Sequence, residues 1–188
     1  MLSSIMPKTL GFAFWLLSPL ALAQSCGVSD NCKIDVQFKG SYLENTCDLA
    51  INNGSANETI VLPEISTTTL NYNGAEAGSQ TFSITLSNCP TNKAISLYFG
   101  STASGTNAAT GNLPNATGSD YSKNVEVRLR KADQQQMVID DPLSNQDYVV
   151  SSTAGISHQF IASYYATGTS GASVGLINTA AAIIVDYK

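Results

Sequence analysis

Apolar and polar residues alternate along most of this chain. Ile34, Val36 and Phe38 alternate with Asp35, Gln37 and Lys39. Phe82, Ile84 and Leu86 alternate with Ser83 and Thr85. Ile95, Leu97 and Phe99 alternate with Ala94, Ser96 and Tyr98, and Val125, Val127 and Leu129 with Glu126, Arg128 and Arg130. A period of two marks strands with one buried face. Ile156 to Tyr165 predicts a further strand. Asn52-Asn53-Gly54 and Asn73-Gly74 supply turns between such runs. Residues 100–119, rich in Gly, Asn, Ser and Thr, carry no pattern and predict an exposed loop of low order. No helical stripe follows the first two dozen residues. Many short strands joined by polar turns predict an all-β sandwich or barrel.

The run from Val174 to Lys188 is the longest. Ile177, Thr179, Ala181, Ile183, Val185 and Tyr187 fall on one face. Leu176, Ala180, Ala182 and Ile184 fall on the other. Two apolar faces suit a strand that is covered on both sides. The pattern predicts a final strand built to be enclosed.

The head of the chain reads differently. Lys8 precedes an apolar run from Leu10 to Leu22, which closes on Ala21-Leu22-Ala23. A positive start, a short apolar stretch and small residues before the cut describe a cleavable secretory signal over residues 1–23. A retained membrane anchor is the rival reading, but the run is short for a span and Pro19 interrupts it. Cleavage leaves about 165 residues, which suits one domain. The organisation expected is a short N-terminal extension over 24–33 and one domain over 34–188.

Composition then removes whole classes of function. The chain carries 9 Lys and Arg against 14 Asp and Glu, for a net charge of −5. Arg128, Arg130 and Lys131 are the sole basic cluster, better placed on the solvent face of a strand than on a phosphate. No nucleic-acid partner is expected. His158 is the single histidine. It has Ser157 beside it, but no GxSxG elbow is present. Asp140 and Asp141 are adjacent and followed by Pro142, which suits a turn better than a carboxylate pair. Neither an enzyme nor a cofactor is expected. The four cysteines, Cys26, Cys32, Cys47 and Cys89, contain no CxxC and suit disulfides in an exported chain. Three pairings are possible, and no metal site is expected.

Four segments together resemble the pilins of chaperone–usher fimbriae, of the type 1 and P pilus kind. Val36-Gln37-Phe38-Lys39-Gly40-Ser41-Tyr42 running toward Cys47 resembles a pilin's first strand and first cysteine. Phe82 to Cys89 resembles the strand that ends in the second. Phe160 to Gly168 resembles the strand and turn before the last strand. Gly175, fourteenth from the end, and the penultimate Tyr187 resemble the pilin terminus.

The resemblance implies an incomplete immunoglobulin-like β-sandwich that lacks one strand. The gap is a hydrophobic groove, filled first by a strand of a periplasmic chaperone and then by the N-terminal extension of the next subunit. The outer-membrane usher and neighbouring pilins are the further partners implied, and the surface fimbrium, reached through the periplasm, is the destination. Cys47–Cys89 is the implied family disulfide. Gly175 to Tyr187 would form a groove wall, and the chaperone would hold the carboxylate of Lys188. The implied function is a structural subunit that supports adhesion. The alternative is a minor or tip subunit that itself binds a host glycan or protein receptor.

One segment departs from the family pattern. The extension over 24–33 contains both Cys26 and Cys32. A disulfide needs its α-carbons within about 7 Å, whereas six extended residues span about 20 Å. A Cys26–Cys32 bond would loop the segment and stop it lying straight in a groove. The thiols could instead bond elsewhere or to a partner. A third reading keeps donation in another register, with Val28 and Ile34 as apolar contacts.

Overall fold

The computed structural model describes residues 46–91, 93–150 and 154–188. The proposed signal, the extension over 24–33 and the alternating run Ile34–Lys39 lie outside them. So do Cys26, Cys32, Val28 and Ile34. Eight strands are present among the described residues: β1 (Asp48–Ile51), β2 (Glu76–Ser87), β3 (Ile95–Ser101), β4 (Leu113–Pro114), β5 (Val125–Lys131), β6 (Gln146–Tyr148), β7 (Ile156–Ala166) and β8 (Ala181–Tyr187). They form two antiparallel sheets, ordered β1-β2-β7-β5-β4 and β6-β3-β8. Two short 3-10 turns, Thr67–Leu70 and Pro142–Ser144, complete the regular structure among the described residues.

The alternating runs sit where their period places them. Ile84, Leu86, Leu97 and Phe160 point between the sheets and are buried. Phe99 meets Phe160 edge-on, with ring centroids 5.4 Å apart, and Phe82 stacks on Phe160 at 5.7 Å. Each such pair adds to simple area burial. Tyr148 is buried with them and donates its hydroxyl to the Ile84 carbonyl at 3.1 Å. Burial pushes that hydroxyl's pKa up.

Arg128 and Arg130 of the basic cluster are on the outer face of a strand, and both are paired there. Arg130 donates to both carboxylate oxygens of Glu76, at 2.9 and 2.6 Å. Arg128 lies 3.7 Å from the same carboxylate and stacks on the Tyr165 ring. Ser163 donates to Glu76 at 2.5 Å. Burial alone would raise the Glu76 carboxyl. The hydrogen bonds from Arg130 and Ser163, with the charges of Arg130 and Arg128, outweigh it and hold the group below 4.5. A carboxyl depressed on folding stabilises the fold above its unfolded pKa, and that stability is lost as pH falls through the folded value. Glu76→Gln should therefore flatten the fall in urea midpoint below about pH 4.5. An unchanged acid limb would show that the cluster is energetically idle.

Residues 100–119 correct the sequence reading. They are not a loose exposed loop. Asn112 and Leu113 are buried, and Asn107 bridges to Asn112. The cause is Glu126, a buried carboxylate on β5. Thr110 and Asn112 donate to it at 2.6 and 2.9 Å, and Asn107 donates as well. A buried carboxylate needs such donors. The Asn and Thr residues that read as loop composition are its hydrogen-bond partners.

The final run is also shorter as a strand than its pattern predicts. Only Ala181–Tyr187 pairs with β3. Residues 174–180 instead cross the loop over 115–122. Leu176 N donates to Asp120 O at 2.8 Å, and Ser122 N to Leu176 O at 2.9 Å. Asn178 N donates to the Asn115 side chain at 2.8 Å. Backbone groups satisfied by this loop are not available to a sheet.

Candidate functional site

A groove of about 580 Å³ runs between the two sheets. One wall is the chain from Ile177 to Ala181 together with Ile183. The opposite wall is residues 58–62, which belong to no strand. Phe82, Phe99, Leu113, Val127, Leu129 and Ala162 line its depth. The lining follows from the strand period: on β5, Val127 and Leu129 face inward while Glu126 and Arg128 face out. Among the described residues, β8 is bonded on one side only, to β3, and ends its sheet. All seven of its residues are half-buried. An open strand edge beside an apolar groove is the geometry that accepts an added strand.

The sequence-predicted wall residues divide into two groups. Ile177, Thr179, Ala181 and Ile183 line the groove. Val185 and Tyr187 pack on the core beyond its end. Tyr187 has a second contact there: its hydroxyl accepts from Cys47 N at 2.8 Å. Lys188 pairs with Ala94 through both backbone groups, which anchors the end of β8. Cys47 and Cys89 are joined in a disulfide. Gly175 adopts φ +152°, where side chains other than glycine are strained. A Cβ there would lie 2.4 Å from the Ser122 nitrogen.

Two parts of the groove escaped sequence reasoning. Residues 58–62 form a wall, and the short apolar run Ile60-Val61-Leu62 was the available signal. Leu113 gave no signal, because it is a lone apolar residue in a polar stretch. The enzyme candidates are accounted for by structure. Asp140 takes φ +65° in a turn and accepts from Ser101 N at 2.7 Å. Asp141 accepts from Leu143 N at 2.9 Å as the cap of a 3-10 turn. His158 packs edge-on against Tyr148, and burial lowers its pKa.

Residues 36–188 match the family model described as fimbrial protein. The chain belongs to that family. This fimbrial subunit is 31% identical to the F17 fimbrial protein of Escherichia coli over 145 residues, which cover 73% of the chain and 78% of the relative. It is 26% identical to the fimbrial subunit type 1 of Klebsiella pneumoniae, over 96% of the chain and 98% of the relative. Among solved structures, the P pilus rod subunit PapA superposes with a TM-score of 0.58 at 15% identity, covering 76% of this chain and 99% of that one. A subunit from a chaperone–usher pilus structure superposes with a TM-score of 0.56 at 15% identity, covering 87% and 100%. These likenesses show the immunoglobulin-like pilin fold. The protein is thus a subunit of chaperone–usher pili, set among neighbouring subunits in a surface fimbrium. The family is structural and not enzymatic.

Proposed function

We propose that this fimbrial subunit is a structural one that assembles by donor-strand exchange. Its groove accepts a segment of the neighbouring subunit, and its own N-terminal segment fills the next groove. The observation that carries this reading is the open edge of β8 beside an apolar groove. The donor segment we assign is the run with Ile34, Val36 and Phe38 in phase, ahead of Cys47, in place of the reading that makes this run the domain's own first strand. Three in-phase apolar side chains suit the alternate pockets of such a groove. This moves donation downstream of Val28. A Cys26–Cys32 loop would then precede the donor run and leave it straight. Until a neighbour arrives, a periplasmic chaperone covers the edge, and the usher exchanges the one for the other. Contact with a host receptor is the second role, and no feature of the described surface favours it over assembly.

Complementation tests the reading. A Phe38→Asp subunit should accept but not donate, and an Ile183→Asp subunit should donate but not accept. Neither should polymerise alone, and mixed together they should stop at a heterodimer by size and mass. Polymers formed by Phe38→Asp at the unmodified rate would sink the proposal.

A further inference from the structure

The depth of the groove is apolar, and Glu58, Thr59, Asn178 and Thr179 bring polar groups to its walls. Thr179 lines it, and its hydroxyl is buried. Among the described residues, this is the one buried side-chain polar atom without a hydrogen-bond partner. Its neighbours are all engaged. Asn178 bonds through N to the Asn115 side chain and through O to Ala116 N, at 2.8 and 3.0 Å. Ala180 O accepts from Thr102 at 3.2 Å. The chain on either side of Thr179 is therefore fixed by loops, while the buried Thr179 hydroxyl keeps its donor and acceptor unused. Buried polar groups in folded proteins are almost always paired, so an unpaired one calls for an explanation. A partner that arrives only when the groove is filled supplies it.

The physics of strand insertion gives such a group a task. A slip of one residue turns every apolar side chain of the incoming strand out of the groove, and apolar burial rejects it. A slip of two keeps the same face inward. With Ile34, Val36 and Phe38 in phase, two such registers bury similar surface, and apolar contact separates them poorly. A hydrogen-bonding group at one fixed depth does separate them. Register is read where a polar group finds its partner in one alignment and stays unpaired in the other.

We propose that Thr179 is a register-determining residue of the acceptor groove, whose hydroxyl pairs with a polar group of the inserted strand in one alignment only. The inference rests on the strand-addition reading above. It also explains why a wall with Ile177, Ala181 and Ile183 in phase contains a hydroxyl where a valine would fill the same volume.

The test is binding of a labelled synthetic peptide spanning residues 33–42 to the full mature chain carrying Thr179, Thr179→Ser or Thr179→Val. The unmodified chain should release the peptide in a single phase. Thr179→Val should bind about tenfold more weakly, the size of one lost hydrogen bond, and should release it in two phases as two registers become populated. Thr179→Ser should restore the single phase. The thermal midpoint of the empty Thr179→Val chain should be equal or higher, because an unpaired hydroxyl has been removed. That separates loss of reading from loss of fold. Equal or tighter binding by Thr179→Val, still in one phase, overturns the inference while leaving strand addition intact. No binding of the peptide to the unmodified chain overturns both.

Discussion

Replacing Cys47 and Cys89 together by serine should cost the domain about 4 kcal/mol. The two residues lie 42 apart in sequence. Closing a loop of that size in the unfolded chain accounts for roughly this amount in the chain-entropy model. The native frame gains little from the bond itself. β1 and β2 already pair from Asp48 opposite Ser87, and Asn88 donates to the Asp48 carboxylate at 2.7 Å. The staple therefore acts mainly on the unfolded state. Typical domains hold about 5–15 kcal/mol in total, so the loss is a large share. The bond also sits at a corner where the Cys47 amide meets the Tyr187 hydroxyl, which couples β1 to the end of β8. Urea unfolding of the double-serine chain against the oxidised chain measures the effect. A difference below about 1 kcal/mol would mean that pairing of β1 with β2 restricts the unfolded chain without the bond.

Gly175→Ala should be nearly as damaging, by about 3 kcal/mol. The obstacle is backbone and cannot swing aside. The added carbon would meet the Ser122 nitrogen at 2.4 Å and the Tyr121 carbonyl carbon at 2.6 Å. Relief requires the crossing at Leu176 to part from Asp120 and Ser122, with loss of two backbone hydrogen bonds. Ile177 and Thr179 follow directly and would shift with it, so the groove wall and the binding of an inserted strand should suffer together. Gly105→Ala is the control. Gly105 also has positive φ, at +70°, but open space surrounds its missing side chain. It should cost about 1 kcal/mol. Equal losses at the two positions would show that conformation alone, and not the close approach, sets the requirement at Gly175.

The sequence carried the strands well wherever one face was buried. Phe82 to Leu86, Ile95 to Phe99 and Val125 to Leu129 show their period directly, because each alternates between the core and the opposite face of its strand. It carried the final segment only in part. Apolar residues continue in phase from Ile177 to Tyr187, but the backbone of 174–180 is claimed by the loop over 115–122, and side-chain period does not report backbone partners. The stretch over 100–119 was opaque for the opposite reason. Its order comes from side-chain amides gathered around Glu126, a charged residue that read as solvent-facing on β5. Local composition cannot show that a carboxylate 14 to 19 residues away is buried. The groove was legible on one side only, since residues 58–62 form a wall without forming a strand.

The strand order sets how many neighbours the domain can hold by strand addition. Four strands end the two sheets among the described residues. β4 has two residues, β6 three and β1 four, and each is too short to template a partner of useful length. β8 has seven and stands beside the groove. On the strand-addition reading proposed above, the described strands give an acceptor valence of one. With one donor segment per chain, growth by that route would only lengthen a polymer, and the described edges offer no start for a branch or a sheet-like aggregate.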